Sequence, residues 1–244
     1  MASLVSIVQG GEKGNDSIPE LAYSIMFDSL ISTSKVNELI KLCSQKTAEF
    51  SCKLKSHNEA VGVISAVEFP LSMKKLEEII TALNKGQIFK TSCHFYHSDL
   101  PLNKRNEFLK KPEGTVSFIG HYEVNGKFFT SFTYNMQAKW VKSNGWIMEK
   151  GFSLPGIRQT KGTGGYINDI QSFTLVAPLE NNRTLRISAS WDDVGGKLPV
   201  LGKIHASCQD IFEAMKNGDN DIREYFKIQY ETIASRTNYD KICN

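Results

Sequence analysis

Leu185-Arg186-Ile187-Ser188-Ala189-Ser190-Trp191-Asp192-Asp193-Val194-Gly195-Gly196-Lys197-Leu198-Pro199 is the stretch on which the reading of this chain turns. Its first seven residues alternate apolar and polar, the period of a strand with one buried face. The apolar positions that follow, Val200, Leu201, Ile204, Cys208, Ile211, Phe212 and Met215, fall on one stripe at helical spacing. The pattern predicts a long C-terminal amphipathic helix starting at residue 200, with Asn217-Gly218 as its stop. A curved antiparallel sheet lying against that helix would bury the stripe and could enclose an apolar cavity between the two. Such a cavity suits a greasy ligand.

Working outward from this unit, Ser17 caps a first helix with Pro19 in its first turn, and Ser34 caps a second carrying Val36, Leu39, Ile40 and Cys43. Residues 50–54 and 61–69 alternate as a β-hairpin. A helix capped by Ser72 follows, with Met73, Leu76, Ile79, Ile80 and Leu83 on its stripe. From there to residue 194 the pattern is β, with strands expected over 87–97, 115–124, 127–140, 144–152, 166–177 and 183–194. Asn125-Gly126, Ser143-Asn144-Gly145 and Glu180-Asn181-Asn182-Arg183 read as hairpin turns. Segment 98–114, with Pro101 and Pro112, reads as a charged connection, and 154–165 as a long loop. A second short helix is expected from Asp221 to Ala234. The fold class is therefore α+β, organised as a lead-in over 1–17, one domain over 18–216 and a helical extension over 217–244.

Strand parity nominates a binding face. Phe128, Phe132, Tyr134, Met136, Ala138 and Trp140 share one parity, as do Val116, Phe118, Tyr122 and Val124. Trp146, Met148 and Phe152 continue the pattern, with Leu185, Ile187, Ala189 and Trp191. Taken as one inner surface, these are large apolar walls with a few polar anchors, the lining of a pocket for a lipid, a sterol or an aromatic metabolite. The ligand-binding candidates are Phe118, Tyr122, Phe132, Tyr134, Met136, Trp146, Met148 and Trp191, with Leu201, Ile204 and Cys208 closing the helix side.

Bulk composition excludes several classes. The chain has 244 residues, 41% hydrophobic and 23% charged, ordinary for a globular protein. A net charge of only +3 implies no nucleic-acid partner. No apolar run reaches the length of a membrane span, and the N-terminus lacks the basic flank of a secretory signal. Five scattered cysteines without a Cys-x-x-Cys pair read as reduced thiols, and the location expected is cytoplasmic.

Two stretches resemble a known superfamily. Val67-Glu68-Phe69-Pro70-Leu71-Ser72-Met73-Lys74-Lys75-Leu76-Glu77-Glu78-Ile79-Ile80 is similar to the strand-to-helix step of helix-grip proteins, which include START-type lipid-transfer domains and Bet v 1-like proteins. The segment from Trp191 to Pro199, followed by a long helix, is similar to the last strand and C-terminal helix of START domains. The resemblance covers roughly residues 18 to 216. It implies a curved antiparallel sheet gripping the last helix, N-terminal helices, a hydrophobic tunnel, and gating by the helix and a loop matching 154–165. Residues 98–114 and the tail after 217 have no counterpart, and no Arg–acid pair inside the tunnel is visible in the sequence.

The function expected is binding, with transfer as its extension, of a hydrophobic small molecule, without a cofactor or metal. Lys139, Lys142, Lys197 and Lys203 form a candidate basic rim for transient membrane contact. The alternatives are an enzyme on the same fold, cyclase- or isomerase-like, and an interaction protein with a solid core. For chemistry, Cys93-His94-Phe95-Tyr96-His97 is the densest cluster, but His94 and His97 point to opposite faces of a strand. His121 and Glu123 lie opposite the aromatic stripe, Asp192 and Asp193 diverge as neighbours at a turn, and His205 falls just off the helix stripe. Gly162-Thr163-Gly164-Gly165 lacks the Lys of a phosphate loop.

Overall fold

The computed structural model describes residues 17–45, 49–89, 95–126, 130–162, 164–198 and 202–228. Two helices come first, α1 (Ile18–Phe27) and α2 (Thr33–Ser44). The Ser17 hydroxyl accepts from the Glu20 N–H while the Glu20 carboxylate accepts from the Ser17 N–H, a reciprocal cap that starts α1. Ser32, not Ser34, caps α2, because the Lys35 N–H donates to Ser32 and Ser34 only pairs with the Ser32 hydroxyl.

Strands β1 (Glu49–His57) and β2 (Ala60–Phe69) form the expected hairpin, and α3 (Met73–Ile80) follows from Ser72. Then come β3 (Phe95–Ser98), α4 (Leu102–Lys110), β4 (Gly114–Gly126), β5 (Thr130–Ser143), β6 (Trp146–Ser153), β7 (Arg158–Lys161), β8 (Gly165–Leu179), β9 (Arg183–Leu198), β10 (Gly202–His205) and α5 (Cys208–Tyr225). The strands make one antiparallel curved sheet in the order β1-β2-β9-β8-β6-β5-β4-β3, with β10 beside β9 and β7 beside β5. The α+β helix-grip class expected from the sequence is the one observed. No helix among the described residues is long and apolar enough to cross a membrane.

Several local expectations are corrected. The 98–114 connection contains α4, which buries Phe108. The loop over 154–165 contributes β7, paired with β5. Of the strand expected over 87–97, residues 87 and 88 lie in a turn over 86–88, 95–97 belong to β3, and 90–94 lie outside the described residues. The largest change concerns the last helix. Residues 202–205 are extended and pair with 195–198, so Ile204 and His205 belong to β10. The helix begins at Cys208, where Ser207 and Asp210 form a second reciprocal cap. It then runs unbroken through Asn217-Gly218 to Tyr225, absorbing the start of the expected second helix. An interior glycine costs a helix about 1 kcal/mol. Burial of Ile222 and the Asp219–Arg186 ion pair beyond it offset that.

Both faces of the sheet are covered. On the back face, α1 and α2 pack on Trp146, Met148, Phe173, Leu175, Leu185, Ile187, Ala189 and Trp191. Gly62 lies under the Trp191 ring, where a Cβ would meet the indole Nε1 at 2.5 Å. On the front face, α3 and the C-terminal half of α5 pack on Val67, Phe118, Ala138, Trp140, Ile147 and Val176. The N-terminal half of α5 packs Cys208, Ile211 and Phe212 on Val61 and Val63.

The surface read from the sequence as one face is therefore two. Ser143 pairs with Trp146 across a two-residue turn at Asn144-Gly145, so Trp140 faces Glu149 and Val141 faces Met148. The even-numbered stripe of β5 is on the front and that of β6 on the back.

Candidate functional site

The front face between α3, α5 and the sheet is the candidate site. Its far end is aromatic. Tyr96, Tyr122 and Tyr134 are cross-strand neighbours on β3, β4 and β5, with ring centroids 4.7 Å apart for Tyr96–Tyr122 and 5.0 Å for Tyr122–Tyr134. Phe118, Phe132, Met136 and Trp140 share that face and are buried. Gly120 gives the tyrosines room, since a Cβ there would meet the Tyr96 ring at 2.9 Å.

The middle of the same face is polar. Ser65, Thr174, Ser188 and Ser190 lie there, together with two buried ion pairs. Lys85 reaches Glu149 at 2.5 Å and lies over the Tyr96 ring, 5.0 Å from its centroid. Glu149 also accepts from the Trp140 indole N–H at 2.8 Å. Arg186 pairs with Asp219 on α5, which ties the helix to β9. Such pairs are favourable in the interior only where further hydrogen bonds satisfy them, and Glu149 meets that condition through Trp140. Asp192, farther along β9 on this face, has its carboxyl raised to about 6 by burial, against the hydrogen bond from Ser190 that lowers it.

An inner slot of about 40 Å³ lies among Leu76, Ile79, Ile80, Lys85, Glu149, Arg186 and Ile222. It has room for a water or two, not for a sterol. An outer cleft of about 260 Å³ opens between α3, α4 and the end of α5, lined by Leu83, Ile88, Leu102, Arg105, Tyr225 and Phe226. Ile79 lines both and is the partition between them.

Five of the sequence-nominated residues, Phe118, Tyr122, Phe132, Tyr134 and Met136, come together on this front face. Trp146, Met148 and Trp191 do not, because they sit under α1 and α2. Their indole N–H groups donate to Asn37 and to the Lys55 carbonyl, so both rings are structural anchors of the back face. Ile204 is 45% exposed on β10, Leu201 lies outside the described residues, and Cys208 is buried at the start of α5. Of the basic rim, Lys142 is drawn in to Glu77 at 2.6 Å, and the side chains of Lys197 and Lys203 lie outside the described residues.

His94 also lies outside them. His97 and His121 stack across β3 and β4 with centroids 4.6 Å apart, and His97 is exposed. Asp192 and Asp193 are mid-strand residues on opposite faces rather than a turn cap, since β9 runs to Leu198. Cys208 is disulfide-bonded, which corrects the reading of the cysteines as uniformly reduced.

The residues missed from the sequence are Lys85, Glu149, Arg186 and Asp219. Glu149 and Arg186 are legible as charges interrupting apolar runs, but in a sheet with one covered face their parity points to solvent.

No protein-family model matches the chain, and no curated protein matches it. Solved structures do. A STAR-related lipid transfer protein fragment from Xanthomonas axonopodis superposes with a TM-score of 0.55 at 8% identity, over 75% of this chain and 95% of that one. The human StarD13 lipid transfer and protein localization domain gives 0.48 at 11% identity, over 82% and 100%. At such identities the likeness is one of fold. The chain has the START-type helix-grip fold.

Proposed function

We propose that this protein binds a hydrophobic small molecule, a lipid, a sterol or an aromatic metabolite, against the front face, and can pass it between membranes. The observation that carries the reading is the chemistry of that face: an aromatic wall of Phe118, Tyr122, Phe132, Tyr134 and Met136 beside a charged centre at Lys85, Glu149 and Arg186. A ligand with an apolar body and one polar group matches both. At about 25 cal/mol per Å² of apolar area, the body supplies most of the affinity, and the polar end fixes orientation.

The small inner slot dictates how a ligand enters. The outer cleft is the mouth, Ile79 is the barrier, and α5 or the 81–89 turn must move for a ligand to pass. Membrane contact is transient and made near this mouth, and no nucleic acid is engaged. A cytoplasmic location belongs to the same reading.

Native mass spectrometry of protein purified without lipid removal tests the proposal, followed by transfer of fluorescent lipid or sterol between vesicles. Co-purified lipid or saturable uptake is expected, weakened by Tyr134→Ala. A second reading, a solid-core interaction protein, is favoured by the 40 Å³ slot. Protein that is empty as purified and takes up no lipid, sterol or aromatic probe would establish that reading instead.

A further inference from the structure

Away from the front face, three elements converge at the end of the sheet. β9 is flanked on one edge by β2 up to the Val61–Asp192 pair and by β10 from the His205–Gly195 pair onward. The β1–β2 turn carrying Glu59 therefore meets β10 end to end beside Asp193. Glu59, Asp193 and His205 each offer a ligand atom here, all within 4.8 Å of one another. Glu59 and His205 are exposed, whereas Asp193 is only 8% exposed.

The buried Asp193 carboxylate is half-satisfied. Its Oδ2 accepts from the Asn168 side-chain amide at 2.8 Å. Its Oδ1 is inaccessible to solvent and accepts no hydrogen bond among the described residues. That oxygen lies 3.2 Å from His205 Nδ1, a nitrogen that also faces the Tyr166 hydroxyl at 2.8 Å. The Asp193 carboxylate is thus buried with only part of its hydrogen-bonding capacity used, and it stands within 4.8 Å of the ligand atoms of both Glu59 and His205.

We infer that Glu59, Asp193 and His205 form a zinc-type divalent-cation site that clasps the β1–β2 turn to the β9–β10 hairpin. Zn²⁺ takes carboxylate oxygen and imidazole nitrogen at about 2.0–2.2 Å, so tetrahedral ligand atoms stand about 3.3 Å apart. The 3.2 Å between Asp193 Oδ1 and His205 Nδ1 is that bite. Glu59, on an exposed turn, closes the third position by a side-chain rotation, and water completes the shell. Asn168 holds the Asp193 carboxylate in its orientation, the role such outer partners play at metal sites. The Tyr166 hydroxyl, displaced from Nδ1, retains the Asp193 carboxylate beside it. The cluster ends three residues before α5, so metal occupancy fixes the approach to the grip helix.

The test is titration of the full-length chain with ZnCl₂ by calorimetry, together with the visible spectrum of the Co²⁺-substituted protein. One ion per chain with tetrahedral Co²⁺ absorption is expected, and Zn²⁺ raises Tm. His205→Gln and Glu59→Gln, at exposed positions that leave the core intact, each weaken binding about 100-fold or more and abolish the Tm shift. Lack of saturable binding overturns the inference. So does binding that survives both variants but is lost in His97→Gln/His121→Gln, which would assign the ion to that stacked pair.

Discussion

Lys150 is a buried lysine on the back face of the sheet, and its amine donates to the carbonyls of Ile25 at 3.0 Å and Asp28 at 3.2 Å, at the C-terminal end of α1. Burial pushes its pKa from 10.5 down to about 8, and Lys139, its cross-strand neighbour, adds to the shift. Between those two pKa values the unfolded chain holds the proton that the folded chain has released. Stability attributable to Lys150 therefore rises with pH across this window. The full shift is worth about 3 kcal/mol, of which about 2.5 kcal/mol appears between pH 7 and pH 10. Lys150→Met removes the titration and leaves the two carbonyls without their donor. At pH 7 these effects oppose each other and the variant lies within about 2 kcal/mol of the wild type. At pH 10 the neutral amine still caps α1 at no charge penalty, so the wild type pulls ahead. Urea unfolding followed by tryptophan fluorescence at unit pH steps measures the difference, with every other titrating group common to both proteins. A wild-type advantage that stays flat from pH 7 to pH 10 would refute the argument that Lys150 is a desolvated charge.

Three further outcomes are expected. Gly195→Ala puts a Cβ 2.0 Å from the Ile204 carbonyl oxygen, so the β9–β10 hairpin must open. The loss is about 3 kcal/mol, and limited proteolysis will show new cleavage near residues 202–206. Arg186→Met removes the cation paired with Asp219 under α5 and costs about 3 kcal/mol in chemical denaturation, most of it recovered in Arg186→Met/Asp219→Leu. Trp146→Phe deletes the hydrogen bond to Asn37, worth about 1 kcal/mol, and leaves lipid uptake in the vesicle assay unchanged because the ring is on the back face.

The fold was legible from the sequence because alternation and turn chemistry agree. Asn144 and Asn182, both at positive φ, occupy tight turns that the Asn-containing stretches announced. Which residues share a face was also encoded, in the turn length. A two-residue turn between Ser143 and Trp146 makes even residues of β5 pair with odd residues of β6, so matching parities in the two strands must lie on opposite faces. The aromatic content of both stripes hid this. The start of the last helix was not legible by periodicity alone. Val200, Leu201 and Ile204 keep helical spacing with Cys208, whereas the reciprocal cap at Ser207 and Asp210 marks the true start. The charged centre of the candidate site required knowing that a second layer of helices covers the back, which makes the polar positions of β6 and β9 interior.

The pairing of β2 with β9 has a consequence in time. Phe69 lies beside Thr184, and Val61 beside Asp192, so the sheet closes between segments nearly half the chain apart. During synthesis the β1–β2 hairpin emerges early and must wait, its outer edge unpaired, until β9 has left the ribosome. Contacts so distant in sequence make folding slow, and a waiting strand edge invites other chains. The helices α1 and α2 emerge before that hairpin and pack against its Phe50, Leu54, Ile64 and Ala66. They are therefore in a position to shelter the nascent hairpin until its partner strand arrives.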